Sequence, residues 1–447
     1  MERHNPRSDN VAGKLVRGSI IDSIGNILAE TDPAAKGLRY YPYGEATAHV
    51  VGFRHPEEGL TGLENAADIL LSGYADDDEN AFKKVSSAAI QSTRYTRHVG
   101  TNLVLTLDAE LQLYAHSLME GRKGAIVAID PRDGAIRILL SSPAFDPNKF
   151  DRLLNIDPQS PLLNRALHGR YPPGSTFKMA IAGLAVECGI GLNIMCPAGG
   201  YYAPGSRRPI RDHEYYSFEK RGQKWHGFGV LDLNTAFAKS SNTYFANAGV
   251  QCGITSFNAM AERLRFNSRI PVYQGINGVV SSQVGNIPKL GGGERRELSQ
   301  LSIGQGRLTT TPLHMAMMVA AIANNGQMFK PRIAESDPVV DYGMPFSRSA
   351  SLRVKQAMRH AIKTGTGRKA DIPGLDVCGK TGTAQNPGGE DHSWFVCFAP
   401  HENPTIAIAV IIENAGYGSA SALPVAVSLL RENAANEAYR AQQEDKQ

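Results

Sequence analysis

The sequence has no stretch both long and apolar enough to span a bilayer. Its first ten residues, MERHNPRSDN, lack the apolar core of a secretory signal. As written it reads as a soluble chain, or as the soluble part of a protein whose anchor lies elsewhere. Cysteine is scarce: five in 447 residues, irregularly spaced, with no Cys-x-x-Cys pair and no zinc-ligand pattern. A zinc module is thereby excluded. One thiol must stay unpaired even if the others bridge, so cysteine usage does not fix the redox compartment. No long run of Lys and Arg occurs, and a formal net charge of +4 argues against a dedicated nucleic-acid binder. Internal repeats and low-complexity segments are absent as well. What remains is 42% hydrophobic and 20% charged residues, an ordinary globular composition on a chain long enough for two or three domains.

The first part, to about residue 120, is built of short extended runs and turns. RGSIIDSIGNILAE predicts two strands around a turn at Gly25-Asn26, and TNLVLTLD (101–108) another extended run. Asp108 is a helix N-cap for AELQLYAHSLMEG, which stops at Gly121. GAIVAIDPRDGAIRILLSS then predicts a hairpin turning at 131–134. Helical stretches come next: TPLHMAMMVAAIANNG, with Thr311 as N-cap, Pro312 at the first position and Gly326 as the stop, and SLRVKQAMRHAIKTG. LDVCGKTGTA, SWFVCFAP and TIAIAVIIEN return to strands joined by short turns, which force antiparallel pairing. A last helix spans roughly 422–440. Strands at both ends of the second part with helices between predict one antiparallel sheet in an α+β layered domain.

GLDVCGKT (374–381) satisfies the phosphate-loop pattern G-x-x-x-x-G-K-[ST]. Such a loop needs a helix starting at its Lys-Thr. Here Pro387 and the glycines 388 and 389 come soon after, and the variable positions are mostly apolar, so the segment reads as a strand.

The same lysine opens K-T-G, one of three short motifs (with S-x-x-K and S-x-N) found in active-site serine enzymes acting on acyl-D-Ala groups or penicillins. Each motif has decoys. Ser175-Thr176-Phe177-Lys178 leads into the apolar helix KMAIAGLAVECG, which sets Lys178 one turn from Ser175 on the same face. A lysine there can take the serine proton, and a helix N-terminus favours developing negative charge. Ser217-Phe218-Glu219-Lys220 sits in a polar, aromatic stretch that reads as a surface loop. Among S-x-N matches, Ser8-Asp9-Asn10 lies in the charged tail, and Ser256 reads as the cap of FNAMAERL. Ser240-Ser241-Asn242 falls between two helices, where a loop can project polar groups into a cleft. Of two K-T-G-T runs, the one at Lys363 closes a helix as a C-terminal cap, and the one at Lys380 lies on a strand beside a glycine, where a substrate can come close. The chosen set runs Ser175, Ser240, Lys380, with gaps of 65 and 140 residues.

These blocks resemble the class B penicillin-binding proteins. YPPGSTFK, AFAKSSNTYF, LSIGQGRLTTTPLHMA, and GKTGTAQ with HSWFVCFAP after it are similar to that family's blocks in its order; the early segments, AHVVGF with GLTGLENAADILLSG among them, are similar to its N-terminal pedestal. Class A members carry a glycosyltransferase domain ahead of this region, for which residues 1–120 are too short. The resemblance implies a penicillin-binding, serine β-lactamase-like transpeptidase domain (121–440) with a five-stranded antiparallel sheet flanked by helices, and a small β-rich pedestal (1–120). It implies a peptidoglycan D,D-transpeptidase at the outer face of a bacterial membrane, held there only by an anchor outside this chain. Its partners would be stem peptides ending in D-Ala-D-Ala, β-lactam antibiotics and the cell-wall synthesis machinery. No cofactor, metal or nucleic acid is implied. Ser175 would attack the carbonyl between the D-alanines, and Lys178, its pKa depressed with help from Lys380, would take the proton. Ser240 would relay it, and Asn242 would hold the stem amide and Lys178. Lys380, Thr381, Gly382 and Thr383 would bind the terminal carboxylate, and the N–H groups of Ser175 and Thr383 would form the oxyanion hole.

The motifs alone leave relatives of this chemistry open: a serine β-lactamase, although no glutamate motif for deacylation appears after Ser240; an acylable sensor; and a D,D-carboxypeptidase. Trp394 and Tyr244 read as core rather than cleft. Cys378 and Cys397 come close if their strands are neighbours, but adjacent-strand geometry disfavours a disulfide, so both are expected to be free thiols.

Overall fold

In the computed structural model, residues 15–32, 38–73, 98–386 and 388–444 are described. Ser8-Asp9-Asn10 and Pro387 lie outside the described residues. Near the N-terminus Asp22 accepts hydrogen bonds from the backbone N–H of Ile24 (3.0 Å) and Asn26 (2.8 Å), which closes the expected turn. It joins β1 (Ile20–Ile21) to β2 (Ile27–Asp32). β3 (Leu38–Tyr40) adds antiparallel to β2, and β4 (Leu103–Val104) adds parallel to β1, in the order β3-β2-β1-β4. Only these two residues of TNLVLTLD are strand; the chain beyond them serves as a connector, with Leu105 bridging to Ala334.

Beneath this sheet the short helix α1 (Gly62–Ala66) carries Glu64, which is fully buried between two arginines. Glu64 lies 2.7 Å from Arg17 Nε and 2.6 Å from Arg39 Nε. Arg17 also pairs with Asp68. Asp108 accepts from the N–H of Leu111 at 2.9 Å and so caps α2 (Ala109–Leu118), as its sequence position requires.

The second sheet has five strands. β5 (Gly124–Ile129) and β6 (Ile136–Ser142) form the expected hairpin; β7 (Cys378–Ala384), β8 (His392–Ala399) and β9 (Ile406–Ile412) come from the other end of the chain. Their order is β6-β5-β9-β8-β7, all antiparallel, so β9 docks beside β5 and β7 is left at the edge. Every residue of β5 and β9 is buried, because the sheet is covered on both faces. That is why GAIVAI and IAIAVII are unbroken apolar runs rather than alternating ones. One face, with Ile126, Phe395 and Val410, packs on α2 and on the C-terminal helix through Leu423 and Leu430. The other, with Val127, Val396 and Phe398, packs on the helices between the two strand groups through Met179, Phe245, Met318 and Val354. The result is a three-layer α+β domain.

The intervening helices include α3 (Lys178–Glu187), α4 (His213–Lys220), α5 (Leu233–Lys239), α6 (Asn242–Arg263), α7 (Pro312–Ala323) and α8 (Arg348–Thr364); α9 (Ala422–Glu444) follows the last strand. Thr311 caps α7 by accepting from His314 N–H at 3.2 Å. Ser256 is not a cap: it lies inside α6, whose second half restarts after a break at Gly253. All five cysteines are free. Cys378 faces Phe398 and Cys397 faces Gly379 in the strand register, a one-residue offset that sends the two thiols to opposite faces of the sheet. No helix among the described residues is long and apolar enough to cross a membrane.

The Glu64 network gives a stability prediction. Glu64→Ala would strand two buried guanidinium groups, and we expect a loss of about 3–5 kcal/mol in chemical denaturation. A loss below about 1 kcal/mol would show that the network does not hold the N-terminal sheet to its helices.

Candidate active site

A 3-10 turn (Gly174–Phe177) runs directly into α3, which places Ser175 just ahead of the helix and Lys178 at its first position. The turn is pinned from three sides. Gly174 N–H donates to the Gly304 carbonyl (2.9 Å), Tyr171 and Thr310 exchange backbone hydrogen bonds, and Trp394 Nε1 donates to the Pro172 carbonyl (3.0 Å). The approach is too close for side chains. A Cβ on Gly304 would sit 1.9 Å from the Gly174 carbonyl oxygen, and one on Gly382 would sit 2.8 Å from Thr176 Cγ2. The glycine of K-T-G therefore lets the serine turn lie against the edge strand, and it is Thr381 and Thr383 of β7 that line the cleft.

Ser240 ends α5 in a left-handed conformation (φ 55°, ψ 38°), and Ser241 caps α6 by accepting from Tyr244 N–H. This kink, expected from the sequence as an inter-helix loop, turns the Ser240 carbonyl and hydroxyl and the Asn242 side chain toward Lys178. Lys178 Nζ lies 2.6 Å from Ser240 O, 2.7 Å from Asn242 Oδ1, 3.0 Å from Ser175 Oγ and 3.3 Å from Ser240 Oγ. From β7, Lys380 Nζ reaches Ser240 Oγ at 2.9 Å and the Thr381 carbonyl at 2.9 Å. Ser175, Ser240 and Asn242 are thus gathered around the Lys178 amine, and Lys380 joins them through Ser240 Oγ.

Both lysines are buried. Burial lowers the Lys178 pKa to about 7, against the opposing pull of Asp212 and Glu214. Burial also holds Lys380 well below its ordinary value, and the Lys178 charge adds to that effect. Desolvation, rather than the neighbouring cation invoked from the sequence, is therefore the main cause at Lys178. An ammonium could donate to all three near oxygens, and a neutral amine can satisfy the same partners. A neutral lysine has two N–H donors and one lone pair. The Ser240 carbonyl and Asn242 Oδ1 can only accept, so they take both donors and leave the lone pair for the Ser175 hydroxyl. Asn242 is held in that orientation by Nδ2 donating to the Arg211 carbonyl at 3.0 Å.

The decoys separate cleanly. Ser217-Phe218-Glu219-Lys220 lies on α4, a helix and not the expected loop. Asp212 stands at its N-cap position with extended backbone (φ −73°, ψ 154°), and the residues of HEYYSFEK tolerate a helix. Ser217 and Lys220 line the same cleft of about 860 Å³ as Ser175 and Ser240, but it is Ser175 and Ser240, not Ser217, that meet the Lys178 amine. Lys363 binds Asp371 at 3.2 Å. Its neighbour Thr366 was missed by motif reasoning: Thr366 Oγ1 lies 2.7 Å from Thr381 Oγ1 and enters the cleft wall. The decoy run K-T-G-T at 363–366 thus supplies a side chain to the site after all. Trp394 and Tyr244 are fully buried, as read from the sequence.

Family and structural relatives fit this geometry. Residues 124–431 match the penicillin binding protein transpeptidase domain, and residues 17–98 match the penicillin binding protein A dimerisation domain. The chain is 32% identical to the peptidoglycan D,D-transpeptidase MrdA of Acinetobacter baumannii over 86% of its own length, spanning 64% of that protein. It is 32% identical to the peptidoglycan D,D-transpeptidase PbpA of Mycolicibacterium smegmatis, covering 90% of this chain and 86% of the relative. Among solved structures it is similar to penicillin-binding protein A from M. tuberculosis as a ceftriaxone acyl-enzyme (TM-score 0.78, 27% identity, 94% of this chain and 99% of that one). With the Ser-Lys, Ser-x-Asn and Lys-Thr-Gly elements meeting on one sheet edge, and with a family match over most of its length, the chain belongs to the class B penicillin-binding proteins.

Proposed function

We propose that this chain is the catalytic part of a peptidoglycan D,D-transpeptidase that cross-links stem peptides ending in D-Ala-D-Ala and is acylated by β-lactams at Ser175. The observation that carries this is the placing of the Lys178 amine 2.6 Å from Ser240 O, 2.7 Å from Asn242 Oδ1 and 3.0 Å from Ser175 Oγ: in its neutral form it can spend both donors on the first two and accept the Ser175 proton on its lone pair. Residues 121–440 form the catalytic domain and residues 1–120 the pedestal.

In this reading Ser175 Oγ attacks the carbonyl between the two D-alanines while Lys178 takes its proton. The backbone N–H groups of Ser175 and Thr383 receive the developing oxyanion, as the close packing of the serine turn on β7 suggests. Ser240, within reach of both lysines, passes the proton to the leaving D-alanine amine. Asn242 engages the stem amide. Lys380, Thr381 and Thr383 hold the terminal carboxylate. An anion arriving there favours the ammonium form of Lys380, and that charge in turn favours the neutral form of Lys178. An amine of a second stem then resolves the acyl-enzyme to the cross-link. The place of action is the extracytoplasmic face of the cell membrane, alongside other cell-wall synthesis proteins.

The proton inventory can be tested in two ways. Fluorescent penicillin should label the wild type and Ser217→Ala but not Ser175→Ala, and Lys178→Ala should slow acylation by about 10²–10⁴. Labelling that survives Ser175→Ala would remove the assignment. Because the base must be neutral, the wild-type acylation rate should rise about tenfold per pH unit up to roughly pH 7 and level off above it. A rate flat from pH 5 to 8 would rule out Lys178 as the base.

A further inference from the structure

Arg211-Asp212 belongs to none of the motifs, yet it touches three consecutive residues of the Ser240–Thr243 turn. The Arg211 carbonyl accepts from Asn242 Nδ2 (3.0 Å). Asp212 Oδ1 accepts from Ser241 Oγ (2.9 Å) and from Thr243 N–H (3.0 Å). Asp212 occupies the N-cap position of α4, but its side chain makes no capping hydrogen bond to that helix. An aspartate in that place ordinarily caps; here the carboxylate has been turned inward instead. It is 3% exposed, and among the described residues it forms no ion pair. A buried carboxylate with two neutral donors and no salt-bridge partner is costly. The nearby cationic group that gains from it is the Lys178 amine, for which Asp212 is the first opposing charge to the effect of burial.

We propose that Asp212 is a positioning residue for the acyl-transfer site: through Ser241 and Thr243 it locks the Ser240–Asn242 turn onto Lys178, and it presents one negative charge to that amine. The consequence is chemical as well as mechanical. Burial alone would make Lys178 a very weak base, and an anion near it restores basicity toward neutral pH. The other charged groups facing Lys178 are Glu214, whose own carboxyl is pushed up by burial, and Lys380 from β7. Lys239 and His213 act on Glu214. This role for Asp212 rests on Lys178 being the base, and the pH dependence of acylation separates the two.

The second-order rate of acylation by a fluorescent penicillin is measured from pH 5 to 9 on the intact chain. Asp212→Asn keeps an acceptor for Ser241 and Thr243 but removes the charge. We expect its acid limb to move down by on the order of one pH unit, with a plateau several-fold below wild type. Ser241→Ala keeps the charge but removes one strut; its plateau should fall while its limb stays with the wild type. Asp212→Ala should combine both effects, and if it does not fold, the other two variants carry the test. An Asp212→Asn limb that coincides with the wild type, whatever its plateau, would reduce the residue to a packing role and overturn the proposal. A wild type with no limb near pH 7 would instead overturn the assignment of Lys178 itself.

Discussion

Two lysine amines are taken out of water within reach of the same serine hydroxyl, and the rest of the site depends on that. Lys178 and Lys380 both reach Ser240 Oγ, at 3.3 and 2.9 Å, and neither is exposed. Burial and mutual repulsion both work against holding two ammonium ions there. One amine must be able to shed its proton near neutral pH, and a neutral lysine beside a serine hydroxyl is a general base. Burial of an amine that would be a defect in a structural core is, in the proposed mechanism, the source of its basicity near neutral pH.

Bringing those amines together needs three backbone segments to approach more closely than side chains allow. The serine turn, the Gly304 loop and the edge strand touch through Gly174, Gly304 and Gly382. The left-handed Ser240 then turns the α5–α6 connection over the amines. Around this, the sheet provides rigidity: its central strands are buried on both faces, and the edge strand β7 presents Thr381 and Thr383 to the cleft while Lys380, buried on the same strand, reaches Ser240 Oγ. An edge strand is where unpaired backbone groups are available, which is what an extended peptide substrate needs.

Much of this was legible in the sequence for identifiable reasons. Caps and breakers marked α2 and α7 through Asp108, Thr311, Pro312 and Gly326, because such signals are local. The apolar runs of β5, β8 and β9 and the short turns between the last strands implied an antiparallel sheet, since burial on both faces removes the polar alternation. GLDVCGKT was readable as a strand because the proline and glycines just beyond it cannot start a helix. The misreadings were also physical. The stretch around Ser217 is aromatic and charged, which suits an exposed helix as well as a loop. Ser256 has the composition of a cap, but the break in α6 comes at Gly253.

By itself the sequence determined the family, the layered α+β architecture and the residues proposed as the reactive set, because motif spacing, caps and hydrophobic runs are properties of neighbouring residues. Only the tertiary structure decided what those residues do to one another. It showed that burial, more than the second lysine, lowers the Lys178 pKa, and that Gly382 makes room for the serine turn while its neighbours line the cleft. It also brought Thr366, from a discarded motif, against Thr381, and turned Asp212 away from its own helix toward Ser241. Each of these depends on desolvation or on contacts between segments distant in the chain, and neither quantity is carried by any local pattern of residues.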